Sequence, residues 1–177
     1  MVGESGSAQG AAAEILRLDA DVMLLDGQLE DGSGIEVCRA VRSVKPIARG
    51  LLLTAAGDEV ASAAAVLAGA TGYLVKVTRG NDIVGAVRNE RTGTSHLDAS
   101  SIQRAADVLR SVMESLTPPA TEDERQLLAH VLDGRTDSEI AEAWATGNGR
   151  RGPDIVAFVA RMTRALLGRA TAPRRLQ

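Results

Sequence analysis

The chain has 177 residues, enough for one domain or two small ones, and 45% of them are apolar, so a buried core is within reach. With one Trp, one Tyr and one Phe, that core is aliphatic, which argues against a nucleic-acid module that stacks bases on aromatic platforms and against an aromatic ligand cage. The single cysteine, Cys38, excludes an internal disulfide and a multi-cysteine metal site; it sits in an apolar helical pattern and reads as a packed thiol.

The net charge of -3 is unevenly spread. Residues 1–116 hold eleven basic and fifteen acidic side chains (-4), residues 117–144 two and seven (-5), and residues 145–177 seven Arg against Asp154 alone (+6). A basic end on an acidic body suits an anionic partner such as DNA, or is a solvated Arg-rich tail. No leader and no membrane-length apolar run is evident, so a cytoplasmic location without membrane contact is expected.

In chain order, three short apolar runs stand out: Val22-Met23-Leu24-Leu25 ending in Asp26, Leu51-Leu52-Leu53 ending in Thr54, and Tyr73-Leu74-Val75 ending in Lys76. Such runs predict strands buried on both faces, hence a parallel sheet. Helical patterns at about 8–18, 34–44, 59–69 and 80–90 alternate with them, as in βαβ units. After Gly93 the strand signals stop. Ser100 to Leu116 reads as an amphipathic helix, broken by Thr117-Pro118-Pro119. Further helices are expected at about 121–133, 137–145 and 154–168, with Thr136 or Asp137 capping the second. The tail from Ala170 has no pattern and is expected to fray.

In an open parallel sheet, ligands bind beyond the carboxyl ends of the strands. Asp26, Thr54 and Lys76 would meet there. A carboxylate nucleophile with a hydroxyl and an ammonium to hold phosphoryl oxygens suits phosphoryl transfer to aspartate. A phosphatase of the haloacid dehalogenase kind needs a second acid two residues on, but position 28 is Gln.

The segments Asp21-Val22-Met23-Leu24-Leu25-Asp26, Asp31-Gly32-Ser33-Gly34-Ile35-Glu36-Val37-Cys38, Leu53-Thr54 and Ala68-Gly69-Ala70-Thr71-Gly72-Tyr73-Leu74-Val75-Lys76 resemble response regulators of the NarL/FixJ type. The resemblance implies an α/β fold, a flavodoxin-like receiver, followed by an all-α helix-turn-helix domain. It makes Asp26 the phosphoacceptor, and Thr54, Tyr73 and Lys76 the phospho-switch residues. It divides the chain into a receiver at 1–92, a linker helix at 93–116 and a LuxR-type domain at 117–177.

There are departures from the family. Glu30 stands where the family usually has Pro. Met1-Val2-Gly3-Glu4 is similar to the family's second strand, so the resemblance implies that the first strand, first helix and Mg²⁺-holding acidic pair are missing, a loss of roughly 25 residues. The sheet is therefore expected to have at most four strands and to leave apolar surface uncovered. Any Mg²⁺ would fall to Asp26 and the carbonyl of Gln28, a weak set for an ion that is usually fixed by more than one carboxylate. The expected receiver takes phosphate inefficiently.

Thr121-Glu122-Asp123-Glu124-Arg125-Gln126-Leu127-Leu128 and Gly134-Arg135-Thr136-Asp137-Ser138-Glu139-Ile140-Ala141 resemble the first two helices of the LuxR-type domain. The helix from Asp154 takes the place of the recognition helix, with Phe158-Val159-Ala160-Arg161-Met162 fitting the family pattern. Val156 and Ala157 stand where the family places polar or basic DNA contacts. The candidate DNA-contacting residues are Arg150, Arg151, Arg161 and Arg164. The expected protein is a non-enzymatic, DNA-binding transcriptional regulator with an impaired or absent phospho-switch. The expected partners are DNA, a sensor histidine kinase, and a second copy or an intact regulator. The alternative is a module that pairs with an intact regulator without reading DNA.

Overall fold

A computed structural model describes residues 1–76, 83–92, 97–148 and 152–171. A short helix α1 (Ala11–Arg17) precedes β1 (Val22–Asp26), α2 (Gly34–Val44), β2 (Arg49–Thr54), α3 (Asp58–Ala68), β3 (Gly72–Val75) and α4 (Ile83–Thr92). Four helices follow: α5 (Ala99–Glu114), α6 (Glu122–Leu132), α7 (Asp137–Asn148) and α8 (Ile155–Thr171). The expected order of an α/β part followed by a helical part is therefore the observed one.

The sheet is parallel, in the order β1-β2-β3. Leu24 is level with Leu51, and Leu51 in turn with Gly72. This register brings the ends of the strands level, which is what places Asp26, Thr54 and the residue after Val75 side by side. Met23 and Leu25 turn into the core while Leu24 stays 41% exposed, the alternation that a pleated strand imposes. Met1 to Glu4 form no strand; Val2 is 67% exposed. A strand is held extended by ladder bonds, and among the described residues no strand lies beside this segment to supply them.

Local chemistry sets the helix ends. Ser33 accepts the Glu36 N–H to start α2, and Gly34 lets that start lie against β1, because a Cβ there would be 2.4 Å from the Asp26 carbonyl. Gly69 ends α3 at a φ of 64°, in the left-handed region where a side chain is strained. The Thr121 hydroxyl accepts from Glu124 N–H while the Glu124 carboxylate accepts from Thr121 N–H, a reciprocal cap on α6. Thr136 and Glu139 do the same at α7, so the cap there is Thr136 and not Asp137.

One apolar core runs through the whole molecule. It begins at Met23, Leu52 and Leu67, passes through Leu109 and Val112 of α5, and continues to Leu127, Ile140, Trp144, Phe158, Met162 and Leu166. α5 packs chiefly along α3, and α8 packs against α2, α3 and α5. The boundaries expected near residues 92 and 116 do not interrupt this core.

Candidate functional site

The three strand ends converge. Lys76 follows β3 and its Nζ donates to Asp26 Oδ2 at 2.5 Å. The other oxygen, Asp26 Oδ1, accepts the Gln28 N–H at 3.1 Å. Gly27 N–H donates to the Leu53 carbonyl at 2.7 Å, which draws the loop after Asp26 onto the end of β2. Thr54 lies there, buried, and its hydroxyl accepts the Ala56 N–H at 3.0 Å. A carboxylate, an ammonium and a hydroxyl thus share one end of the sheet, the arrangement that phosphoryl transfer to a carboxylate needs. The side chains of Asp26 and Lys76 are 33% and 41% exposed, so an incoming phosphodonor can reach them.

The described residues offer Mg²⁺ only a weak site. Asp26 is its one carboxylate among the residues named, and both oxygens are already engaged, one by a cation and one by a backbone donor. No group of three or more His, Cys, Asp or Glu arranged for a metal occurs among the described residues. Asp26 and the Gln28 carbonyl would supply at most two oxygens of an octahedral shell, leaving the rest to water and a phosphoryl group, a weak protein set for this ion.

Tyr73 of β3 is turned toward α3, and its hydroxyl donates to Asp58 Oδ1 at 2.5 Å. Partial burial together with this bond to a carboxylate pushes the phenol up to about 12. Sequence reasoning named Tyr73 but missed Asp58, whose place at the first turn of α3 reads locally as a favourable helix start and nothing more.

Farther along the same loop, Asp31 accepts from the Ser7 hydroxyl at 2.5 Å, Ala8 N–H at 2.8 Å and Gln9 N–H at 3.0 Å. These donors hold its carboxyl down at about 2.

The candidate DNA-contacting residues separate into three cases. Arg150 and Arg151 lie outside the described residues. Arg161 donates to Glu124 Oε1 at 2.6 Å and to the Pro118 carbonyl, so it is committed to the start of α6. Arg164 is exposed on α8, across an open cleft from Asp31 and Glu36. Phe158, Val159, Met162 and Leu166 face the core, while Val156 is 71% exposed and Ala157 is exposed beside it. The outer start of α8 is therefore apolar.

A contact that the sequence did not announce joins the two parts of the chain. Arg39 of α2 is 4% exposed. Its Nε donates to Asp137 Oδ1 at 2.6 Å, and its other nitrogens donate to the Leu67 and Arg135 carbonyls, each at 3.1 Å. Ser43 adds to it: its hydroxyl accepts the Asp137 N–H, and its carbonyl accepts the Ser138 hydroxyl. The available signal was an arginine on the apolar side of the α2 pattern, one turn from Ile35 and next to Cys38, because such a residue requires partners if it is buried.

Comparison with known proteins bears on this geometry. Residues 1–88 match the response regulator receiver domain. The DNA-binding transcriptional activator DevR/DosR of Mycobacterium tuberculosis is 38% identical over 144 residues, covering 80% of this chain and 66% of that protein. The response regulator protein VraR of Staphylococcus aureus is 29% identical over 143 residues, covering 81% of this chain and 68% of that protein. The chain thus spans about two thirds of the length of the curated relatives it matches. A two-component response regulator of the LuxR family from Aurantimonas sp. SI85-9A1 has a TM-score of 0.48 at 26% identity, covering 57% of this chain and 72% of that one. No described helix is long and apolar enough to cross a membrane. With an aspartate, a hydroxyl and a lysine brought to one end of a parallel sheet inside the matched segment, this chain belongs to the response regulators, and residues 1–88 are its receiver portion.

Proposed function

We propose that the chain is a DNA-binding transcriptional regulator of the response-regulator type whose receiver takes phosphate poorly or not at all. The observation that carries the reading is the state of Asp26, which lies at the acceptor position with Lys76 on one oxygen and the Gln28 N–H on the other. Among the described residues no second carboxylate stands by to help hold a divalent ion, and the charge of an incoming phosphoryl group meets Lys76 and Thr54.

Support for the DNA half comes from charge and placement. The +6 balance over residues 145–177 supplies phosphate contacts, and Arg164 is exposed. Phosphate contacts set affinity, while base-edge contacts set sequence preference. An outer face with Val156 and Ala157 has few groups for the second task. We assign weak, largely sequence-independent binding that falls steeply with salt. The three-part division at 1–92, 93–116 and 117–177 is kept as the division of roles.

The test has two arms. Acetyl phosphate with Mg²⁺ should leave most of the protein unmodified by mass spectrometry; near-complete modification that disappears in Asp26→Asn overturns the receiver reading. Titration against an operator-like and a random duplex at two salt concentrations should show little discrimination; a preference of about a thousandfold, as specific binders show, overturns the DNA reading.

The second reading, a module that pairs with an intact regulator, is favoured by one observation. Arg161 is tied to Glu124, and the apolar stripe of α8 is closed against the core. It predicts no duplex binding at low salt.

A further inference from the structure

α8 carries three arginines among the described residues, and their surroundings differ. Arg169, in its last turn, donates to the Ser111 carbonyl at 2.7 Å and to the hydroxyls of Ser111 and Ser115 at 3.2 and 2.8 Å, at the end of α5. Arg161 is engaged at both terminal nitrogens: Nη1 donates to Glu124 Oε1 at 2.6 Å and Nη2 to the Pro118 carbonyl. Arg164 is exposed and has no hydrogen bond or ion pair among the described residues.

Glu124 is held in place without Arg161. Its Oε2 accepts the Thr121 N–H at 2.8 Å, and the Thr121 hydroxyl accepts the Glu124 N–H at 3.2 Å. One oxygen thus caps α6 and the other is turned to α8. The Arg161 and Glu124 side chains are only 21% and 15% exposed. Burial works to raise the Glu124 carboxyl, but the Thr121 N–H and the Arg161 guanidinium outweigh it and hold the group below the usual carboxylate range. α8 packs along α3, α5 and α2, and its backbone approaches α6 at few points, so the ion pair spans a gap that the backbones leave. To reach a DNA phosphate, Arg161 would have to release both acceptors. The bared Glu124 carboxylate would then stand beside the negative charge of the DNA.

We propose that Arg161 is a positioning residue of the DNA-binding end: through Glu124 it sets α8 against the start of α6 and makes no phosphate contact itself, while Arg164 is the α8 arginine that meets phosphate. The inference rests on the DNA-binding reading above.

The test is an anisotropy titration of a random-sequence duplex with the whole chain, at salt concentrations from about 50 to 200 mM. Arg164→Gln should reduce the slope of log affinity against log salt by about 0.9, the loss of one phosphate contact. Arg161→Gln and Glu124→Gln should each lower affinity by the same factor at every salt concentration, at least about threefold, with the slope unchanged. The Glu124→Gln side chain still accepts the Thr121 N–H, so the cap survives. These two substitutions change the net charge in opposite senses, so a shared weakening reports position and not charge. The double variant should bind no worse than the weaker single one. A slope that falls by about 0.9 in Arg161→Gln, or is unchanged in Arg164→Gln, overturns the proposal. So does unchanged affinity in Arg161→Gln, or tighter binding by Glu124→Gln, which would mean that the carboxylate had been masking Arg161.

A second measurement needs no DNA. Amide exchange at Phe158 to Met162 should quicken at least about threefold in Arg161→Gln and in Glu124→Gln, but not in Thr136→Ala, which weakens a different helix. Unchanged exchange in the first two, or equal quickening in all three, overturns the positioning role. A parent chain that binds no duplex overturns the DNA-binding reading alone, and exchange then still decides whether Arg161 positions α8.

Discussion

Replacing Arg39 by Met tests whether the receiver helices and the C-terminal helices fold as one unit. The guanidinium is buried, and its loss strands the Asp137 carboxylate and two carbonyls, those of Leu67 and Arg135. Removing one partner of a buried ion pair costs about 3–5 kcal/mol. Asp137 keeps 21% of its side chain in solvent, so water recovers part of the loss and the lower end, about 3 kcal/mol, is expected. With a urea slope of about 2 kcal/mol/M, the midpoint should fall by about 1.5 M. Urea unfolding should be followed at one fixed protein concentration, so that any association contributes equally. The only tryptophan, Trp144, is buried in the helical part and reports that half by fluorescence, while far-UV circular dichroism reports the whole. The two transitions should coincide before and after substitution. Arg39→Met with Asp137→Ala should be less damaging than the sum of the single changes, because no charge is then left unpaired. A midpoint shift under about 0.3 M, or two separated transitions in the parent chain, would refute the shared core as a cooperative unit.

Three further outcomes follow from local chemistry. Tyr73 is the only tyrosine, so its ionisation can be followed by ultraviolet absorbance, with a midpoint near 12. The folded value lies above the unfolded one, so the stability it contributes is complete below about pH 10 and is lost as pH rises toward 12; a midpoint near 10 would remove the bond to Asp58. For Asp31 the sign is opposite. Its folded value is about 2, so the tether to residues 7–9 holds above about pH 4 and is released as pH falls through 2, seen as loss of protection at the Ala8 and Gln9 amides; Asp31→Asn should release it at neutral pH. Thr136→Ala should destabilise the chain by about 1 kcal/mol through loss of the α7 cap, measured by thermal unfolding, and an unchanged midpoint would argue against that cap.

The strands, most helices and the three residues at the strand ends were legible in the sequence because each depends on neighbours along the chain. An apolar run ending in Asp26, and the Ser33 and Thr121 caps, are local patterns that secondary structure converts directly into position. The same locality explains the failure at Met1 to Glu4: its sequence resembles a strand, but a strand is completed by a neighbour, and none lies beside it in the described sheet. What only the tertiary structure decided are pairings between distant elements. Arg39 meets Asp137 from 98 residues away, Tyr73 meets Asp58 at the start of α3, and Arg161 meets Glu124 of α6. A side chain's type states that it needs a partner, but the partner is chosen by how helices pack, and that choice depends on the whole core at once.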